Sequence, residues 1–276
     1  MTAPRTAAHR SGAGNRLVQA LASRRAEGRK ALIPYVMAGD PDDAATERLI
    51  GLLAEAGADA VELGVPFSDP IADGPVNQRA GFRALGREMS LGRAIELVAR
   101  VRRHVEVPLL FMTYYNLFLH RGLAAFCREA VDAGLDGVIA ADLPPEDGGD
   151  LAAAAASAGL ATVFLLAPTS TEERIRTVAG TSTGFIYCVS RTGVTGVRDE
   201  VPQDLEALVR RIKAETDTPV CVGFGISRPS QARQVARFAD GVIVGSVLVQ
   251  MLEDDPADLG RVGAFVRDLK AAVSGA

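Results

Sequence analysis

The segment ADAVELGVPFSDPIADGPV, residues 58–76, decides how the rest of the chain is interpreted. It begins with an apolar run, AVELGV, that is typical of a buried strand. Glu62 lies inside that run, and a carboxylate in an apolar strand is costly unless it has a partner or a function. A proline-rich loop follows, in which Asp73 supplies a second carboxylate. We expect these two acids to carry the chemistry while the rest of the chain holds a substrate against them.

Outward from this segment, short apolar runs alternate with longer helical patterns, and eight such strand–helix units can be counted. The strands are predicted at residues 31–40, 58–65, 107–115, 136–144, 160–168, 184–190, 218–225 and 240–246. Because these runs are mostly apolar throughout rather than alternating, they indicate a parallel sheet that is covered on both faces. Eight units in about 250 residues fit an α/β fold, the (β/α)8 TIM barrel, and a doubly wound open sheet is the alternative.

Three helices are predicted in addition to the repeat. One is a leading amphipathic helix at residues 15–28, and two extra short helices follow strands two and eight. No gap suggests a linker. We therefore expect residues 14–276 to form a single barrel domain, preceded by a disordered tail at residues 1–13.

The composition excludes several classes of function. The chain of 276 residues has a formal net charge of −4 and no basic block, so neither nucleic acid nor an anionic membrane is an expected partner. Apolar runs are interrupted before ~18 residues, which predicts no membrane span. The first 13 residues lack the apolar core of a secretory signal. The three cysteines are widely spaced and are expected to be buried reduced thiols, in keeping with a cytoplasmic protein.

In a TIM barrel the active site lies at the C-terminal ends of the strands. Strand seven ends in GFGIS, and strand eight ends in Gly245-Ser246 directly before a short helix. Glycines let backbone N–H groups approach an anion, and a helix dipole favours negative charge at its N-terminus. A GxG alone is no more than a tight turn, but the two adjacent motifs predict a phosphate site. A dinucleotide site is disfavoured because no third glycine completes GxGxxG.

Residues that other barrel enzymes use for catalysis do not stand at the strand ends. None of the three lysines is there, so a Schiff-base aldolase would lack its nucleophile. The three histidines are not clustered, so no metal site is expected, and no GxSxG elbow occurs. Glu62 and Asp73 remain as the leading acid–base pair. The alternatives are a structural ion pair for Glu62 and an Asx turn before Gly74 for Asp73.

Apolar and aromatic residues near the strand ends would together form a flat pocket between the acids and the phosphate site, although core filling is the default explanation for any one of them. They are Tyr35, Met112, Tyr114, Ala141, Leu165 and Tyr187. After strand six, the sequence RTGVTG is interpreted as a mobile lid rather than an ordinary surface loop. Asp69 is expected to organise the loop after strand two, where it could bind the hydroxyl of Thr195.

Five motifs together resemble the tryptophan synthase alpha subunit family. They are ELGVPFSDPIADGP, the strand-three YYN, SRTGVTG, GFGIS and the final GS. The resemblance runs from about Asn15 to Ala272 without large gaps, and the first and third motifs are the most specific. It implies a (β/α)8 barrel that cleaves indole-3-glycerol phosphate into indole and glyceraldehyde 3-phosphate. Two departures, Tyr35 in place of the usual Phe and Met37 in place of a smaller or hydroxyl residue, are expected to reshape the pocket.

The resemblance also implies roles for individual residues. Glu62 and Asp73 match the catalytic pair, and the six apolar residues match the indole pocket. The phosphate site matches Gly196, Gly225, Gly245 and Ser246. Thr195 matches the lid threonine, and Asp69 matches the acid that pairs with it.

The family implies a partner, a beta subunit that uses pyridoxal phosphate to join indole with serine. Two alpha chains bind a beta dimer, with the loops after strands two and six facing it. No cofactor is expected in this chain, which has no plausible site for pyridoxal phosphate. Three alternatives stay open: a stand-alone lyase that releases indole, a non-catalytic activating subunit, and another phosphate-binding barrel such as a sugar-phosphate isomerase.

Overall fold

A computed structural model gives the structure of residues 14–189, 203–223 and 225–276. Eight parallel strands close into a barrel in sequence order, and β8 pairs with β1. The predicted (β/α)8 TIM barrel is therefore confirmed. The predicted tail at residues 1–13, and Thr195 and Gly196 of the predicted lid, lie outside the described residues.

The strands of the barrel are shorter than the apolar runs that predicted them, because those runs continue into the flanking loops. They are β1 (Ala31–Met37), β2 (Val61–Gly64), β3 (Leu109–Thr113), β4 (Gly137–Ala140), β5 (Ala161–Leu166), β6 (Ile186–Val189), β7 (Val220–Gly223) and β8 (Gly241–Val244).

The helices surround the barrel, and the predicted leading helix and the extra helices after strands two and eight are all present. They are α1 (Arg16–Ala26), α2 (Asp43–Glu55), α3 (Pro75–Leu85), α4 (Leu91–Val101), α5 (Tyr115–Arg121), α6 (Leu123–Ala133), α7 (Gly149–Ala158), α8 (Glu172–Thr181), α9 (Gln203–Glu215), α10 (Pro229–Ala236), α11 (Ser246–Asp254) and α12 (Leu259–Ser274). None of these helices combines the length and apolarity needed to cross a membrane.

Two boundaries differ from prediction for local reasons. The third strand was predicted to run to Tyr115, but a helix, α5, begins there because Asp142 Oδ1 accepts a hydrogen bond from the Tyr115 N–H at 2.7 Å. A proline at position 145 predicts the start of a helix, but Pro145–Asp147 form a short 3₁₀ turn and the α-helix begins at Gly149. The first change ends β3 at Thr113 instead of Tyr115, and the second lies outside the strands.

A separate apolar cluster fills the inside of the barrel. It consists of apolar residues from the strands and from positions directly before them, together with Leu17 and Leu21 of α1. The strand residues are Ala31, Ile33, Leu110, Ile139, Ala161, Val163, Tyr187, Cys221 and Ile243, and Ala60 and Phe185 directly precede β2 and β6. Helix α1 closes the N-terminal end of the barrel, where Asn15 Nδ2 donates to the Asp136 carbonyl at 2.7 Å. Substrate can therefore approach the interior only from the C-terminal end.

Three aspartates hold the N-terminal ends of the strands together. Each precedes an even-numbered strand, accepts an N–H from the strand before it, and pairs with a cation. They are Asp59, Asp136 and Asp240. Asp59 accepts the N–H of Leu32 at 2.7 Å and pairs with Arg24 and Lys270. Asp136 accepts the N–H of Leu109 at 2.9 Å and pairs with Arg102. Asp240 accepts the N–H of Val220 at 2.9 Å and pairs with Lys213. All three cysteines are buried free thiols, as predicted.

Candidate active site

Glu62 lies in the barrel wall, and none of the described residues forms a hydrogen bond with its carboxyl group. It lies on β2 between Tyr35 and Leu110 of the neighbouring strands. Its side chain is completely buried, and neither carboxyl oxygen has a hydrogen-bond partner among the described residues. Burial, and secondarily the charge of Asp73, raises the pKa of Glu62 to about 8. A carboxyl group with such a pKa can both donate and accept a proton near neutral pH.

Asp73 is placed by the loop between β2 and α3. Gly74, not Asp73, is the N-cap of α3, so the carboxylate does not serve as the helix cap. Tyr114 Oη donates to Asp73 Oδ2 at 3.0 Å. Burial raises the pKa of Asp73, and hydrogen bonds from Tyr114 and Asn77 oppose that rise. Asp73 thus has only neutral donors around it, in contrast to an ion pair.

Tyr114 also ties β3 to the loop that carries Asp73. Its hydroxyl accepts the N–H of Ala72 at 2.8 Å, and its ring stacks on Phe67 with centroids 4.9 Å apart. From the other side, Gln78 Nε2 donates to the Asp73 carbonyl at 2.9 Å. The loop is therefore fixed by side chains that belong to two different elements.

A small cavity lies against these residues. Four of the six predicted pocket residues line it: Tyr35, Met112, Tyr114 and Ala141. Asp73, Met37, Phe67 and Asn77 also line it; Met37 was expected to shape the pocket, whereas Phe67 and Asn77 were not predicted as site residues. Its free volume is about 10 Å³, room for roughly one water molecule. An aromatic ring can enter only if these side chains move apart.

The other two predicted pocket residues lie elsewhere at the same end of the barrel. Leu165 lines a neighbouring cavity of about 250 Å³, with Glu146 and Arg174 at its edge. Tyr187 lies within the barrel, where the charge of Glu62 contributes, after burial, to raising the Tyr187 pKa well above its usual value. Tyr187 is therefore close to the buried acid even though it does not line the small cavity.

Glycines at three strand ends make room for the two tyrosines inside the barrel. A β-carbon at Gly64 would lie 2.7 Å from Tyr35 Cζ, and one at Gly223 would lie 2.8 Å from Tyr187 Oη. A β-carbon at Gly245 would lie 3.2 Å from Tyr35 Cβ. These contacts are shorter than those that side chains normally make, so no larger residue fits there without displacing a tyrosine.

The predicted phosphate residues lie at the ends of β7 and β8. Gly245 is the N-cap of α11, where no side chain caps the helix, and Ser246 is its first residue. Free backbone N–H groups at such a helix start attract anions. Gly225 is exposed with a φ of +86°, and nothing lies within 4 Å of a β-carbon built on it. Open space for an anion is therefore present beside Gly225, while the start of α11 at Gly245 and Ser246 offers backbone N–H groups.

An ion-pair network joins the helix after the Asp73 loop to the helix at the phosphate end. Arg83 of α3 binds Asp40 with two hydrogen bonds of 2.8 and 2.7 Å, and also donates to Glu253 of α11. Arg79 forms two more bonds with Glu253, at 2.8 and 2.6 Å. The arginines, Arg79 first, lower the pKa of Glu253 to about 2. This network was not predicted, because its members are far apart in sequence.

The described residues contain no group of three or more metal-ligating side chains arranged around one point. Asp69 is exposed, and its Oδ2 accepts a hydrogen bond from the Ser68 hydroxyl at 2.7 Å. Its expected partner Thr195 lies outside the described residues, so their coupling stays a prediction.

Comparison with known proteins gives similarity along nearly the whole chain. The family model described as tryptophan synthase alpha chain matches residues 21–274. The tryptophan synthase alpha chain of Geobacter sulfurreducens is 50% identical, and the match covers 94% of this chain and 99% of that protein. The one from Microcystis aeruginosa is 47% identical, with 91% and 96% covered.

Solved structures give the same result. Tryptophan synthase subunit alpha from Legionella pneumophila superposes with a TM-score of 0.88 at 36% identity, covering 96% of this chain and 100% of that one. A chain of Mycobacterium tuberculosis tryptophan synthase gives a TM-score of 0.88 at 40% identity, covering 94% and 98%.

Proposed function

This chain belongs to the tryptophan synthase alpha chain family, and from that premise we propose that it cleaves indole-3-glycerol phosphate into indole and glyceraldehyde 3-phosphate. This reaction is a lyase step of L-tryptophan biosynthesis. The observation that carries the proposal is Glu62, a fully buried carboxyl with a pKa of about 8 and no hydrogen-bond partner in the described part of the chain, beside a second acid at the open end of the barrel.

The cleavage is a retro-aldol reaction in which one carboxyl group serves twice. Glu62 donates its proton to C3 of the indole, which gives a cationic indolenine. The resulting carboxylate then removes the proton of the neighbouring glyceryl hydroxyl. As that oxygen becomes the aldehyde oxygen, the C–C bond breaks and its electrons restore the aromatic ring. Glu62 ends protonated, ready for another turnover, as its pKa of about 8 requires.

Asp73 acts at the nitrogen of the ring. It accepts the indole N–H and stabilises the positive charge that develops when C3 is protonated. The hydrogen bond from Tyr114 at 3.0 Å fixes its carboxylate for this role. Tyr35, Met112, Ala141, Leu165 and Tyr187 form the apolar surroundings of the ring.

The phosphate group binds at the other side of the barrel opening. The backbone N–H groups near Gly225, Gly245 and Ser246 receive it, together with Gly196 of the lid. The lid closes over the substrate through a hydrogen bond between Thr195 and Asp69. Closure of this kind excludes water from the cationic intermediate.

The chain works with a beta subunit, and two alpha chains bind a beta dimer. Indole passes to that partner, which holds the pyridoxal phosphate, in the cytoplasm. Two apolar side chains support a partner surface near the site: Ile71, in the loop after β2, is 87% exposed, and Leu119, in α5 after β3, is 53% exposed. We propose also that residues 14–276 form one domain and that residues 1–13 are a disordered tail.

The test is an assay of indole release from indole-3-glycerol phosphate, with and without a beta subunit. The double variant Glu62→Gln with Asp73→Asn is the matched control for background cleavage. Release that the double variant abolishes, and that the beta subunit captures, supports the proposal. Indole that escapes in the presence of the beta subunit indicates a stand-alone lyase, and no release with stimulation of the beta reaction indicates an activating subunit.

A further inference from the structure

Asn77 is a polar residue of the candidate site that the reaction scheme above does not use. It is the third residue of α3 and lines the same cavity as Asp73, Met112 and Tyr114. Its Oδ1 atom is buried and has no hydrogen-bond partner among the described residues. A buried acceptor that is left unpaired costs free energy, so this oxygen calls for an explanation.

Buried side-chain oxygens without a hydrogen-bond partner, such as Asn77 Oδ1, are rare among the described residues. In the part of the chain that the structure describes, the buried side-chain oxygens without a partner are the two of Glu62 and that of Asn77. All three belong to the candidate active site. Because the Glu62 oxygens are accounted for by a reacting ligand, the simplest explanation for Asn77 is the same ligand.

The orientation of the Asn77 amide follows from its neighbour. A hydrogen bond from the Asn77 side chain lowers the pKa of Asp73. A carboxylate only accepts hydrogen bonds, so the Nδ2 end of the amide faces Asp73 and the Oδ1 end faces away from it. Gln78 and Arg83 anchor α3 to the Asp73 loop and to Asp40, so the backbone that carries Asn77 is held in place.

We propose that Asn77 is a positioning and specificity residue, whose Nδ2 holds the Asp73 carboxylate and whose Oδ1 accepts a hydrogen bond from the ring N–H of the bound indole. This inference rests on the proposed function, since it assigns the donor to the substrate's ring. Asp73 and Asn77 then present two adjacent acceptors to one N–H group. A ring of the same shape without that N–H leaves both acceptors unpaired, and the site rejects it.

The test compares indole with benzothiophene, an isosteric ring that has no N–H, as ligands of the full chain measured by calorimetry. The variant is Asn77→Leu, which keeps the shape of the side chain and removes both polar atoms. The loss of one hydrogen bond predicts that the preference for indole over benzothiophene falls by about fivefold to tenfold. Asn116→Leu, the same substitution at an exposed position of α5, is the matched control and should keep the preference.

A second readout separates positioning from a general effect on folding. Without the amide, the pKa of Asp73 rises, so the acidic limb of kcat/KM for indole-3-glycerol phosphate moves to higher pH. Asn77→Asp keeps an acceptor but loses the donor, and the added charge moves that limb further in the same direction. If Asn77→Leu does not fold, Asn77→Ala, which also removes both polar atoms, gives the same two measurements.

The outcomes divide cleanly. An unchanged ring preference and an unchanged acidic limb in Asn77→Leu, in a protein that cleaves indole-3-glycerol phosphate, overturn the inference and leave the proposed function intact. If the wild-type chain does not cleave this substrate, the proposed function fails. In that case a wild-type preference for indole that Asn77→Leu loses still supports the amide as the acceptor of a ring N–H.

Discussion

Glu62, near the C-terminal end of the barrel, and the aspartates at its N-terminal end are buried carboxyl groups with opposite surroundings. At the N-terminal end, Asp59 and Asp136 are 5% and 3% exposed, and at the C-terminal end Glu62 is 0% exposed. Burial is therefore similar. Asp59 accepts a strand N–H and pairs with Arg24 and Lys270, whereas Glu62 accepts no hydrogen bond from any residue that the structure describes. The partners, and not the depth of burial, decide whether a carboxyl group supports the fold or remains available for chemistry.

The difference teaches how one fold separates stability from function. Paired aspartates at the N-terminal end join neighbouring strands, and nearby arginine and lysine side chains balance their negative charges. An unpaired glutamate destabilises the folded protein whenever it is ionised, so its retention needs a reason outside stability. Four predictions test this contrast, and they are ordered from the largest expected effect to the smallest.

Glu62→Gln should break the function of the C-terminal end and leave the fold intact. Loss of the proton donor predicts a fall in turnover of about 10²- to 10⁴-fold in cleavage of indole-3-glycerol phosphate. Stability at neutral pH should be unchanged or higher, because a neutral amide replaces a titrating acid. Steady-state kinetics and chemical denaturation measure the two effects. Near-normal turnover would falsify the assignment of Glu62.

Asp59→Asn should show the reverse pattern at the N-terminal end. It leaves Lys270 and Arg24 without their counter-charge, and breaking a buried pair costs about 3–5 kcal/mol of unfolding free energy. The folded enzyme should keep kcat, since the site lies at the other end of the barrel. Denaturation by urea and kinetics at a temperature well below the transition check both parts. A loss of kcat in fully folded protein would contradict the separation of the two ends.

The pH dependence of stability should carry the signature of Glu62. Its pKa is about 8 in the folded protein against 4.5 for the ordinary group, so between these values the folded state keeps a proton that the unfolded state releases. Rising pH therefore favours unfolding, by about 1.4 kcal/mol per pH unit for one proton. In Glu62→Gln, the fall in unfolding free energy per pH unit should be smaller by that amount, because the amide does not titrate. Equal slopes in urea denaturation of the two proteins would show that Glu62 ionises normally.

Tyr114→Phe should have the smallest effect of the four. The ring keeps its stack on Phe67, while Asp73 and the Ala72 N–H each lose a hydrogen bond. A lost bond to a charged group predicts a fall in kcat/KM of about tenfold, and the pKa of Asp73 should rise. A pH–rate profile whose acidic limb lies at higher pH than in the wild type would confirm the rise in the Asp73 pKa. Tyr115→Phe is the control, and an equal effect there would mean that the Asp73 bond is not the cause.

Sequence signals were sufficient for the barrel and for both candidate acids. The eight apolar runs predict the barrel because a buried parallel strand needs apolar residues on both faces. Glu62 stands out because a carboxylate inside such a run is rare. Because the prediction used only the local apolar pattern, it extended the third strand too far, to Tyr115. The side chain that starts α5 there belongs to Asp142, which is distant in sequence.

The rest of the site depends on contacts between distant parts of the chain. Nothing around Arg83 indicates that it joins Asp40 to Glu253, because that contact exists only once α3 packs beside α11. Asn77 has the appearance of an ordinary helix residue. Only its position in the cavity, with Asp73 on one side and an unpaired oxygen on the other, distinguishes it. These contacts depend on how distant elements pack together, and neither composition nor the spacing of apolar residues indicates them.

The glycines that accommodate the tyrosines inside the barrel have a consequence for engineering. A β-carbon at position 64 would lie 2.7 Å from Tyr35 Cζ, so a methyl group there would collide with the ring. Neither residue can change size alone. A library of single substitutions would therefore meet a collision or a void at each first step and would report the pocket as intolerant. Libraries can yield a pocket for aromatic rings of another size if they vary position 35 together with position 64, or position 187 together with position 223.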